Sequence, residues 1–79
     1  MKVRERRLMR YLVIYEPSDD GFGAYVPDLP GCVAVGDTRA EVEQLIREAI
    51  ALHVADMRAS GQTVPEPTTQ SELVELQEV

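Results

Sequence analysis

The chain has 79 residues, 44% hydrophobic and 28% charged, with a formal net charge of −6. This makes it one small domain near the size, roughly 70–80 residues, at which a single core supplies only a few kcal/mol; association into a homodimer or tetramer is therefore expected. No apolar run approaches the roughly 20 residues that span a bilayer, the start MKVRERRL leads into a stretch too short and polar for a secretory leader, and the single cysteine, Cys32, excludes an intramolecular disulfide framework and fits a cytoplasmic compartment.

Charge divides the chain. The first ten positions carry five bases and one acid, net +4, whereas from Tyr11 onward three bases face thirteen acids, net −10. Residues 1–8 read as a basic, solvated arm and residues 9–79 as the domain. An acidic body repels nucleic acid phosphates and attracts a basic partner, so no direct nucleic acid binding is expected of this chain alone.

Met9 to Glu16 reads as the first strand, with Met9, Tyr11, Val13 and Tyr15 on one face and Leu12 and Ile14 on the other. Apolar residues on both faces suggest a central strand. Pro17-Ser18-Asp19-Asp20-Gly21 is a turn by composition, Gly21 being free to take positive φ, and it returns the chain antiparallel as Phe22 to Val26. Asp19 and Asp20 suit backbone-bonding turn positions better than metal ligation.

Pro27 and Pro30 remove two amide donors, so Pro27-Asp28-Leu29-Pro30-Gly31 cannot continue a ladder and forms a corner before a third strand, Cys32 to Val35. Cys32 reads as a buried structural thiol, because nothing near it in sequence would lower its pKa. Thr38-Arg39-Ala40-Glu41 is a capping box, the hydroxyl accepting from an early amide and Glu41 reaching back to the cap. It opens a helix from about Thr38 to Ser60 with Val42, Leu45, Ile46, Ala49, Ile50 and Met57 on its apolar stripe and Gly61 as an αL stop. His53 lies at the edge of that stripe and reads as a packed or interface side chain.

Val64-Pro65-Glu66-Pro67 is an extended linker. The last segment, Ser71 to Val79, alternates as a strand (Val74, Leu76) yet spaces Leu73 and Leu76 as a short helix would. The strand is favoured, because a right-handed return from the helix fills the edge beside the first strand in parallel. The expected fold is α+β: a small βββαβ domain, a mixed sheet of order 3-2-1-4, and one helix packed on one face.

The run DGFGAYVPDLPGCVAVGDT, with Gly21, Gly23, Tyr25, Pro27, Asp28, Leu29, Pro30, Gly31, Cys32, Gly36, Asp37 and Thr38 in place, resembles the HicB-like antitoxin family, over roughly Tyr11 to Pro67. That resemblance implies a reduced RNase H-like fold and a binding function. Members neutralise a small basic HicA-type mRNA interferase by covering it, and the toxin would meet the sheet and acidic loops here, with Glu16, Asp19, Asp20 and Asp28 as charged contacts. Gly21, Gly23, Pro27, Pro30, Gly31, Thr38 and Glu41 read as structural. No catalysis and no cofactor or metal is expected: two-metal nuclease chemistry needs a carboxylate in the middle of the first strand, which offers Leu12, Val13 and Ile14. Many relatives carry a DNA-binding module after the Pro-Glu-Pro linker. The dozen or so residues after Pro67, with three glutamates and no base, cannot form one, so operon repression by this chain alone is not expected. The alternative from a different class is a solitary homo-oligomeric accessory domain without a toxin.

Overall fold

A computed structural model describes residues 7–78. Most of the basic arm lies outside the described residues. Three strands, β1 (Ile14–Ser18), β2 (Gly21–Tyr25) and β3 (Val33–Gly36), precede one helix, α1 (Arg39–Ala59). The strands form an antiparallel sheet of order β1-β2-β3, and α1 lies on one face of it.

The hairpin register pairs Ser18 with Gly21 and Ile14 with Tyr25, leaving Asp19 and Asp20 as the turn. Pro17 stands inside β1 opposite Phe22. A proline is tolerated there because β1 is an edge strand and the missing donor faces away from β2. The expected first strand, Met9 to Glu16, is thus shifted toward the turn, and its expected central place is an edge among the described residues. Two faces of apolar residues were the reason for expecting a central strand, but they also arise when one face is covered by a helix and the other is exposed.

Gly21 does not use positive φ, which only Gly31 (87°) and Gly61 (76°) adopt among the described residues. It is needed for a different reason: a Cβ there would collide with the backbone carbonyl of Gly36 on β3. The corner is closed by three backbone bonds, Val26 N–H to Cys32 O (3.2 Å), Leu29 N–H to Val26 O (3.1 Å) and Cys32 N–H to Leu29 O (3.0 Å). These turn Leu29 fully inward between sheet and helix. The core comprises Ala24, Val26, Leu29, Cys32, Val42 and Ile46, flanked by Tyr11, Val13, Tyr15, Phe22, Ala34, Ala49, Ile50 and Val54. Burial pushes the Cys32 thiol above its ordinary pKa, as befits a structural cysteine.

Thr38 caps α1 by accepting from Glu41 N–H at 3.2 Å. The reciprocal half of the expected box is not formed. The Glu41 carboxylate lies instead over Gly36, within 2.8 Å of where a Cβ would stand. Arg39 binds Glu43 at 3.2 Å and places its guanidinium 4.3 Å from the Tyr15 ring centre, tying the helix start to β1. At the other end Gly61 N–H donates to Arg58 O (3.1 Å) and Gln62 N–H to Met57 O (2.8 Å), a Schellman stop with Gly61 in the left-handed region as the sequence predicts.

No fourth strand is present among the described residues. Residues 71–78 carry no regular structure, and the 3-2-1 part of the expected order stands without its fourth member. The cause lies in the linker. Tyr11 OH donates to Pro65 O (2.5 Å), Arg7 clasps Glu66 at 2.7 and 2.5 Å, and Asp28 accepts from Thr68 and Thr69. These contacts carry the chain past the start of the sheet to the β2–β3 corner, away from the outer edge of β1.

Candidate protein-binding face

Side chains alternate across a sheet, so the register decides which residues the helix leaves uncovered. Tyr15, Ala24 and Ala34 form one cross-strand row and face α1. The next rows, Ile14–Tyr25–Val33 and Glu16–Gly23–Val35, face away from it. Tyr25, Val33 and Val35 are 38%, 62% and 76% exposed. The helix-free face is therefore an apolar surface with Gly23 at its centre, where the absence of a side chain leaves the backbone open.

The turn end of this face is acidic. Glu16, Asp20 and Asp37 line a shallow concavity of about 480 Å³ together with Gly23 and Val35. Asp19 stands next to Asp20 on the exposed hairpin tip. Three of the four sequence-expected contacts, Glu16, Asp19 and Asp20, are thus gathered at one end of the sheet, and Asp37 joins them by way of the β3–α1 connection.

Asp28 is elsewhere. It lies in the opposite corner, where its Oδ2 accepts from Thr68 N–H (3.0 Å) and Thr69 N–H (2.9 Å) and its Oδ1 from the Thr69 hydroxyl (2.6 Å) and the Thr68 hydroxyl (3.4 Å). These donors, the Thr69 hydroxyl foremost, hold its carboxyl below the usual carboxylate range. Its visible work is to fasten the linker. His53 is half-buried beside Gly31 and lines an open hollow with Pro30, Asp56 and Met57. Among the described residues no three His, Cys, Asp or Glu side chains are grouped so as to hold a metal ion, and no helix is long and apolar enough to cross a membrane.

Tyr25, Val33, Val35 and Asp37 do not stand out in the sequence as surface residues. The signal was present in Ala34 and Ala24: if a lone helix packs on the small residues of one face, the larger residues between them must face outward.

Comparison with known proteins agrees with this architecture. Residues 11–79 match the model of the HicB-like antitoxin of bacterial toxin–antitoxin systems. A UPF0150 protein of Synechocystis is 39% identical over 66 residues, covering 82% of this chain and 84% of the relative. An uncharacterized 14.9 kDa protein of Haemophilus phage HP1 is 37% identical over 57 residues, and the matched part spans 72% of this chain but only 43% of the phage protein. Among solved structures, a chain of a HicA3 and HicB3 toxin–antitoxin complex superposes with a TM-score of 0.65 at 30% identity, covering 76% of this chain and 70% of that one. With the capped helix, the proline corner and the hairpin all in the matched region, the chain belongs to the HicB-like antitoxin family.

Proposed function

We propose that this protein acts as an antitoxin: it binds a small basic HicA-like toxin, an mRNA interferase, and neutralises it by covering it, without catalysis of its own and in the cytoplasm. The observation that carries this reading is the helix-free face, an exposed apolar surface bounded at one end by Glu16, Asp19, Asp20 and Asp37. Apolar area excludes water and supplies affinity, while an acidic rim steers a cationic partner and sets its register. The structural neighbour comes from a toxin–antitoxin complex, which supports the partner class. Asp28 has a smaller part in this scheme, since its lone pairs are already engaged by the linker.

The test is binding between this chain and a small basic HicA-type protein, measured by calorimetry over a salt series. Affinity is expected to fall as ionic strength rises, because exposed charge pairs are screened within about 10 Å at 0.1 M salt. The double variant Glu16→Lys, Asp20→Lys is expected to weaken the complex and flatten the salt dependence, and Val35→Asp to weaken it at every salt concentration. Absence of any complex with that protein would sink the reading in favour of the second one, a homo-oligomeric accessory domain, for which the same uncovered apolar face is the supporting observation.

A further inference from the structure

Two features of the chain are left unmatched by its own fold, and they match each other. The first is the outer edge of β1. Since Pro17 has no N–H to exchange with Phe22, the Pro17–Phe22 and Tyr15–Ala24 pairs are the non-hydrogen-bonded ones of the ladder. The N–H and C=O of Tyr15 and the C=O of Pro17 therefore point outward, where no strand pairs with them among the described residues. The second is the segment 71–78. Its Leu73, Val74 and Leu76 are 101%, 79% and 83% exposed, and Glu72, Val74, Leu76 and Glu78 fall on one face of an extended chain.

We propose that the segment 71–78 of one copy adds as a strand to the outer edge of β1 in a second copy, so that two chains exchange C-terminal tails. Within one chain the tail does not return to that edge: Asp28, in the connection between β2 and β3, grips Thr68 and Thr69 through four hydrogen bonds and starts the tail there, and residues 71–78 form no ladder with β1. A second molecule has no such restriction. Strand addition to an open edge satisfies backbone donors and acceptors on both partners, and Pro17 sets the limit of the added ladder because it offers no donor. The exchange would also relieve the small core of a 79-residue chain by burying three apolar residues that now lie in water. It uses the edge of the sheet, not its helix-free face, and needs no toxin.

Two measurements on the chain alone test it. The first is molar mass by light scattering on the wild type and on the triple variant Leu73→Asp, Val74→Asp, Leu76→Asp. These positions lie outside the packed core, so far-ultraviolet circular dichroism of the variant should show the helix retained. The wild type is expected at twice 8.8 kDa and the variant at 8.8 kDa. The second is a mixing experiment in which a nitroxide attached at Gln77→Cys in unlabelled chains is combined with ¹⁵N-labelled wild-type chains, the buried Cys32 being left unmodified. Broadening of the Tyr15 amide of the labelled chains supports the exchange. A monomeric wild type, a dimer unaffected by the tail variant, or broadening seen only when label and isotope share one chain each overturns it.

Discussion

Thr69 is fastened to Asp28 across 41 positions of sequence, its N–H donating to Oδ2 at 2.9 Å and its hydroxyl to Oδ1 at 2.6 Å. Thr68 adds its own amide to the same oxygen. The carboxylate that sequence alone marked as a partner contact thus acts like a helix N-cap without a helix, collecting the free amides of an extended segment and fixing where the tail leaves the body.

This clamp is expected to open in acid. The Thr69 hydroxyl and amide, then those of Thr68, lower the Asp28 pKa on folding, so the bonds are fully in place above the unfolded value of about 3.9 and are lost as pH falls through the lower folded value. Amide exchange or ¹⁵N relaxation at Thr68 and Thr69 should show ordering at neutral pH that is lost only as pH falls below the ordinary carboxylate range. Glu66, whose carboxyl is lowered by Arg7, titrates in the same direction. Asp28→Ala separates the two: it should release Thr68 and Thr69 at every pH while leaving the Arg7–Glu66 pair intact, and a tail that stays ordered in that variant would refute the clamp.

Gly21 and Gly23 are both glycines of one strand, yet the structure separates them sharply. A Cβ at Gly21 would run into the Gly36 carbonyl, whereas at Gly23 the nearest atoms are 3.8 Å away or more. Gly21→Ala should therefore destabilise the domain by about 2 kcal/mol or more through strand displacement, and Gly23→Ala should stay within roughly 0.5 kcal/mol of wild type. Urea denaturation of both variants checks the ranking. If Gly23 instead provides the open backbone at the centre of a binding face, Gly23→Ala would reduce partner affinity at unchanged stability.

Leu29 is completely buried although it sits in a five-residue corner. Leu29→Ala should cost roughly 2–5 kcal/mol, a large share of the stability of so small a domain. Leu45, on the helix stripe but 36% exposed, should lose clearly less on the same substitution. Equal midpoints in urea for the two variants would mean that the corner does not pack as described.

Cys32 is buried and its thiol is pushed up by that burial, so little thiolate is available at neutral pH. Alkylation by iodoacetamide should be slow in the native protein and rapid in urea. Cys32→Ser, which puts a hydroxyl in an apolar site without a partner, is expected to cost about 1–3 kcal/mol, and Cys32→Ala less. Rapid native alkylation would show that the thiol is accessible.

Local chemistry made most of the elements legible. The Thr38 cap and Gly61 stop bracket α1 because each satisfies orphan backbone groups with atoms only a few positions away. The two prolines around Leu29 locate the corner because a missing donor is a property of the residue itself. Even the family follows from such local features, strung together from Gly21 to Thr38. Where reading failed, the cause was a contact between distant positions. The role of Gly21 depends on how near β3 comes, that of Asp28 on where Thr69 arrives, and the edge position of β1 on where the tail goes after the helix.

The sequence by itself determined the hairpin, the corner, the helix and its apolar stripe, since turn propensity, capping and periodicity act over a few residues. Only the tertiary structure decided which face of the sheet stays uncovered, which acids are brought together around Glu16 and Asp37, and that Asp28 serves the linker. Those are outcomes of strand register and chain direction, which a shift of one residue would reverse and which no single residue encodes.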